Sequence, residues 1–386
     1  MEAVKLTEDV YWVGAIDWNV RNFHGYLTQR GSTYNAYLIV DEKITLIDTV
    51  KENHTEEMLQ RIAKVIDPAK IDYIISNHVE MDHSGGLPAL KEVATEAQIV
   101  TSAKGKAGLE MHYQQDWDYQ IVDNGDSLDL GQRSLSFALT PMVHWPDNMV
   151  SYLPSEKILF GNDAFGQHFA DWHRFDDQLP YEILIEEAKK YFANIVLPYG
   201  RQVMKALEAL SGLEIEMIAP SHGVIWRTYI QEIIEEYQKW ASNETEEKAV
   251  IVYDSMWGST EKLAQAVYSA FDAQGIKATV MSLNDNHISD IMTEVIEAEY
   301  ICVGSPTLNN GLFPTVASFL TYLKGLAPQD RVGLAFGSYG WGGQSVKQVE
   351  KVFTECGFEL LDSVKAQYIP TADDLESITN KLKGEL

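Results

Sequence analysis

Six consecutive residues, His78-Val79-Glu80-Met81-Asp82-His83, bring four strong metal-binding side chains together directly after the apolar segment Tyr73-Ile74-Ile75-Ser76. A metal pair needs further groups from other strand ends, so a chain that uses this cluster must fold with several strand ends meeting at one place. A loop leaving a strand can point His78, Glu80 and Asp82 into one cavity, with His83 beside them. Two imidazoles with two carboxylates make a more oxygen-rich set than zinc hydrolases usually choose. The set suits iron or manganese, and iron would make the site a redox one. The competing reading is a polar surface turn, which must place four ligand types in six positions, followed by Ser84-Gly85-Gly86, by chance.

The remaining ligands are expected after later apolar runs. His144 lies in residues 141–147, Asp163 closes the run that starts at Ile158, and His222 follows Ile218-Ala219-Pro220-Ser221. One histidine after a strand is ordinarily a hydrogen-bonded structural residue; the pattern rests on all of them together.

At 386 residues the chain predicts two domains. A formal charge of −27 argues against phosphate-backbone binding, which needs clustered Lys and Arg, so no nucleic-acid partner is expected. With only Cys302 and Cys356, a disulfide framework and a four-cysteine metal module are both excluded. Cys302 sits in an apolar strand pattern and reads as a buried thiol. The first residues lack the basic-then-apolar pattern of a signal peptide, and no apolar run reaches bilayer length. The expectation is a cytoplasmic protein with no membrane association.

The seam between domains is placed at residue 247, giving domains 1–247 and 248–386. Residues 231–240 predict an amphipathic helix, 241–247 are polar, and Lys248 opens a fresh apolar strand. The first half reads as mixed α/β. Residues 34–40 and 43–48 predict a hairpin around Asp41-Glu42, another hairpin edge is expected near 130–139, and a helix near 56–65 precedes the metal motif. The second half predicts strands near 248–254, 277–283, 300–304, 331–337 and 359–367 alternating with helices, the pattern of an open parallel sheet.

A second site is expected in that half. Ser255-Met256-Trp257-Gly258-Ser259-Thr260 joins the first strand to a helix. Small hydroxyl side chains and free N–H groups there form a phosphate cradle, with a plain helix cap as the alternative. No Gly-Lys-Ser/Thr occurs, which removes a nucleoside triphosphatase loop, and no Gly-x-Gly-x-x-Gly, which disfavours a nicotinamide site. Loops 304–311 and 336–343 follow the third and fourth strands, and Tyr339 and Trp341 offer rings to stack on a flat ligand.

The order of ligands resembles the metallo-β-lactamase superfamily. Glu80 stands where most of its hydrolases carry His, and in this the chain is similar to the flavodiiron proteins. The second half resembles flavodoxin, and the likeness runs from about residue 3 to about residue 383. The fold this implies is α/β: a metallo-β-lactamase-like αββα sandwich followed by a flavodoxin-like doubly wound parallel sheet. By the resemblance, His78, Glu80 and His144 bind one non-haem iron, Asp82, His83 and His222 the other, and Asp163 bridges them. In some members the histidine at the position of His83 turns away. FMN would be held at its phosphate by Ser255, Trp257, Gly258, Ser259 and Thr260. Around its ring would stand Pro306, Thr307, Asn309, Gly311, Ser338, Tyr339, Gly340, Trp341 and Gly342. His24, His168, Trp145 and Tyr191 are candidates to orient ligands or supply protons, or else aromatic core and surface histidines. The implied activity is reduction of O2 to water and/or NO to N2O. The alternative is a two-metal hydrolase carrying a flavodoxin module. Implied partners are rubredoxin or a reduced deazaflavin as electron donor. A head-to-tail homodimer, or a dimer of such dimers, would bring one chain's FMN beside the other chain's irons.

Overall fold

The computed structural model describes residues 2–386, which divide into two units. The first takes the chain up to His24, Thr28–Tyr191 and Arg201–Gln238; the second takes Gly25–Leu27, Phe192–Gly200 and Lys239–Leu386.

In the first unit, period-two alternation builds two facing sheets. The larger has seven strands in the order Val4–Lys5, Val10–Trp12, Tyr37–Ile39, Thr45–Ile47, Tyr73–Ile75, Gln98–Thr101, Tyr119–Ile121. The smaller has five in chain order: Ser127–Asp129, Ser134–Leu139, Met149–Leu153, Ile158–Asn162 and Met217–Pro220. Tyr37, Ile39, Ile47, Ile75 and Val100 of the first sheet share one core with Phe137, Met149, Ile158, Phe160 and Ala219 of the second. Their neighbours Leu38, Leu46, Ile74 and Ile99 point the other way, into a core completed by Met58, Ile62, Leu87, Leu90 and Leu109 of the flanking helices. The expected αββα layering is what this alternation produces.

Two local expectations are corrected. Residues 34–40 do not form one strand: Ser32–Tyr34 pairs with Ala15–Asp17, and only Tyr37–Ile39 joins the large sheet. The break falls at buried Asn35. Its backbone N–H donates to the Ser221 carbonyl (2.8 Å), its amide donates to the Pro220 carbonyl (2.8 Å), and its Oδ1 accepts from Trp12 Nε1 (2.8 Å). These bonds pull the chain towards the loop after the last strand of the small sheet. The metal motif, in turn, is not loop throughout, because Met81–Ser84 makes one helical turn.

The second unit is a parallel sheet in the order Lys277–Ser282, Glu246–Tyr253, Ala298–Gly304, Val332–Tyr339, then Glu359–Leu360 and Val364–Gln367. This is the 2-1-3-4-5 order of a doubly wound fold. The fifth strand, expected as a single run over 359–367, is split. Gly333 opposes Leu360 while Phe336 opposes Val364, so the edge carries one residue more than its neighbour. Among the described residues, no helix is long and apolar enough to cross a membrane.

Candidate metal centre and flavin cleft

Strand pairing explains how distant ligands meet. Ile158–Asn162 and Met217–Pro220 run parallel with Asn162 opposite Pro220, so Asp163 and His222 emerge at the same end of the sheet. Met149–Leu153 is antiparallel to Ile158–Asn162, which puts the loop before it, carrying His144, at that end too. Asn162 turns the chain there with φ 52°, a left-handed conformation that Asn tolerates better than most residues. Its side chain accepts from Asn148 (3.0 Å) and donates to Ser221 Oγ (3.2 Å), tying the three loops together.

Seven side chains converge. His78, Glu80, His144 and Asp163 form one group, and Asp82, His83 and His222 another. Asp163 stands between them. Its Oδ2 lies 3.2 Å from His144 Nε2 and 3.6 Å from His78 Nε2, and its Oδ1 lies 3.0 Å from His83 Nε2 and 3.5 Å from His222 Nε2. Glu80 Oε2 is 3.3 Å from both His78 and His144 Nε2. Asp82 approaches His83 Nε2 (3.3 Å) and His222 Nε2 (3.2 Å). His83 is turned inward.

These contacts are close, yet both oxygens of Asp82 and Asp163 and the Nε2 atoms of His83 and His222 are buried without a well-directed hydrogen bond. Such atoms are costly unless something else satisfies them. Lone pairs aimed at shared points, rather than at each other, fit bound cations. The electrostatics agree. Burial pulls His78 down, but its bonds to Asp147 and Glu80 win and hold it up at about 10. His83 is likewise raised to about 9 against its burial, by the charges of Asp82 and Asp163. His144 reaches about 9 the same way, through Asp163 and Glu80. Three carboxylates crowd this space with a fourth, Asp147, behind His78, and positive charge is what the cluster demands. Two imidazoles and one carboxylate on each side of a shared carboxylate suit ferrous iron.

Supporting groups fix the ligand orientations. His78 Nδ1 donates to Asp147 Oδ2 (2.8 Å), which also accepts from the Val79 N–H (2.8 Å). His222 Nδ1 donates to the Thr33 carbonyl (2.7 Å), leaving Nε2 to face the cluster. Neither Asp147 nor Thr33 carries a signal of its own in the sequence, beyond the place of Asp147 three residues past a candidate ligand. Of the expected auxiliary groups, His24 Nε2 meets Glu80 Oε1 at 2.6 Å and is 61% exposed, at the mouth of the site. His168 is fully buried, not a surface histidine. Its Nδ1 meets Ser32 Oγ (2.7 Å), and its ring lies 4.9 Å from that of His222. Tyr191, also buried, lies 5.1 Å from His168 and 6.0 Å from His222 between ring centres. Trp145 stands edge-on to His78 at 5.0 Å.

In the second unit, a cleft of about 730 Å³ opens at the carboxyl ends of the parallel strands. Trp257, Ser259, Pro306, Thr307, Asn309, Ser338, Tyr339, Gly340, Trp341 and Gly342 line it as expected, joined by Met256, Leu308, Asn310, Tyr368 and Ile369. Ser255, Gly258, Thr260 and Gly311 do not line it; they shape its loops. Ser255 Oγ accepts from the Gly258 N–H (3.0 Å), and buried Thr260 Oγ1 meets Ser338 Oγ (2.8 Å). Gly311 closes its turn by backbone bonds with Leu308. Gly258 caps the following helix at φ 82°. Trp257 and Trp341 are 92% and 90% exposed, apolar rings without a partner surface in this chain, as a flat aromatic ligand would require.

Fold and site together define a chain that couples a two-metal β-lactamase-type sandwich to a flavodoxin-type sheet. Residues 33–223 match the ODP family beta lactamase, and residues 251–381 match flavodoxin. The chain is 46% identical to the rubredoxin-oxygen oxidoreductase of Megalodesulfovibrio gigas, over 98% of this chain and 96% of that one. It is 44% identical to the nitric oxide reductase of Moorella thermoacetica, over 97% and 96%. Its structure superimposes on the flavodiiron protein from Giardia intestinalis with a TM-score of 0.97 at 34% identity, covering 100% of this chain and 96% of the other. The chain belongs to the flavodiiron proteins.

Proposed function

We propose that this protein is an oxidoreductase that reduces O2 to water and/or NO to N2O at two non-haem irons supplied with electrons by FMN. Residues 1–247 would form the iron domain and 248–386 the flavin domain. The observation that carries the reading is Asp163, whose two oxygens each face a separate pair of imidazoles. Relatives named as oxygen and nitric oxide reductases support it over a hydrolase. When bound, FMN would supply electron transfer and the irons the reduction of the gas.

The chain's own residues do the rest. His78, Glu80 and His144 would hold one iron and Asp82, His83 and His222 the other, with Asp163 shared. Asp147 and the Thr33 carbonyl keep His78 and His222 aimed inward. His24, half in water and bonded to Glu80, would pass protons at Nε2. His168 and Tyr191 wall the far side around His222. Thr307, Asn309, Ser338 and Gly340 would read the flavin edge while Trp257 and Trp341 cover its faces. The electron donor is rubredoxin or a reduced deazaflavin, and the protein works in the cytoplasm as a head-to-tail homodimer, or a pair of them. A mixed dimer of one chain lacking His144 and one lacking the phosphate loop tests the cross-chain route by its activity. Feeding O2 and NO separately to anaerobically reduced protein, with metal and flavin analysis, tests the function. Stoichiometric zinc with no gas consumption would refute it.

A further inference from the structure

The metal cluster has a second side. Between the outward face of the small sheet and helix Gly200–Leu210 lies a cavity of about 20 Å³ with almost purely carbon walls. Its inner wall includes Val143 and Ala164, the chain neighbours of His144 and Asp163. Its outer end is formed by Ala206, Leu207 and Leu210, which are half-buried, so the space approaches solvent there. The hydroxyl of Tyr237, one of the two polar groups lining it, is already bonded to the Phe165 N–H (2.7 Å).

A space of this size holds one small molecule, but water needs two to four polar partners and finds too few here. Dry apolar cavities take up apolar guests such as xenon. O2 and NO are likewise small, nearly apolar and uncharged. We propose that this cavity is a docking site for a small apolar gas, from which substrate passes to the metal cluster between Val143 and Ala164. Gas would then arrive by an apolar side separate from the polar mouth at His24. The delivery role rests on the function proposed above; the gas site itself does not.

Crystals of the full chain under xenon pressure test the site. One xenon is expected against Val143, Leu159 and Ala206. Ala206→Phe should abolish that xenon and raise KM for the gas severalfold while leaving kcat unchanged. Leu207→Phe fills the same space from its half-exposed side and serves if the first variant does not fold. A wild-type cavity without xenon overturns the proposal. So does an unchanged KM in a folded variant that has lost the xenon. Metal analysis of the same preparation keeps the two readings apart: iron-free protein sinks the function proposed above, whereas xenon density judges the cavity alone.

Discussion

Removing Asp147 should loosen the metal site without touching a proposed ligand. Its Oδ2 accepts two hydrogen bonds at 2.8 Å, from His78 Nδ1 and the Val79 N–H, and all three residues are buried. In Asp147→Ala both donors lose their acceptor inside the protein. Each buried donor left unsatisfied costs about 1–3 kcal/mol, which falls on the fold. A separate cost falls on the metal. His78 is free to rotate or change tautomer, and loss of such an orienting carboxylate typically weakens metal binding about 10–100-fold. That corresponds to about 1.4–2.7 kcal/mol. Asp147→Asn retains an acceptor oxygen but not the charge, so it should fall between Ala and wild type. Iron affinity measured by chelator competition, beside the melting temperature of the metal-free protein, separates the two costs. An Ala variant that keeps wild-type iron affinity would refute the role given to Asp147 and the tight coupling of His78 to the metal.

Three further outcomes are expected. Glu80→His replaces the carboxylate that sets this cluster apart from hydrolase sites; metal analysis should show zinc gaining on iron, with gas reduction lost. Gly258→Ala meets no serious clash but forces Ala to φ 82°, at about 1–2 kcal/mol, so the melting temperature of the flavin-free protein should fall; an unchanged value would refute the strain. Burial raises the Glu187 carboxyl to about 7, outweighing the opposing pull of Lys190 and Arg30. The folded protein thus holds this proton more tightly than the unfolded chain. The group's contribution is complete below the ordinary carboxylate range and is lost as pH climbs to about 7. Glu187→Gln removes that loss, and its melting temperature relative to wild type should rise between about pH 5 and about pH 8. A constant difference would contradict the shift.

The seven converging side chains were legible because each follows or precedes an apolar strand run within a few residues, or lies in the short turn after one, and carries its chemistry in its own identity. Most parallel strands of the second half were legible for a related reason, since their apolar runs alternate with helical patterns, although the split of the fifth was not. What escaped has no local signature. The Thr33 carbonyl that orients His222 is backbone, common to every residue type. Asn35 breaks a smooth apolar pattern through bonds to Pro220 and Ser221, which are far along the chain. The helical turn Met81–Ser84 is too short to show a period. Tyr368 and Ile369 line the flavin cleft from the end of the fifth strand, where the same rule that found the other loops would have found them.

The pairing of Ile158–Asn162 with Met217–Pro220 also sets the order in which the two ligand groups are completed. A nascent chain exposes His78 through Asp163 well before His222, so one of the two ligand groups has all its residues available earlier than the other. His78, Glu80, His144 and Asp163 all precede the last strand of the small sheet, whereas the group of Asp82 and His83 is complete only once His222 is in place.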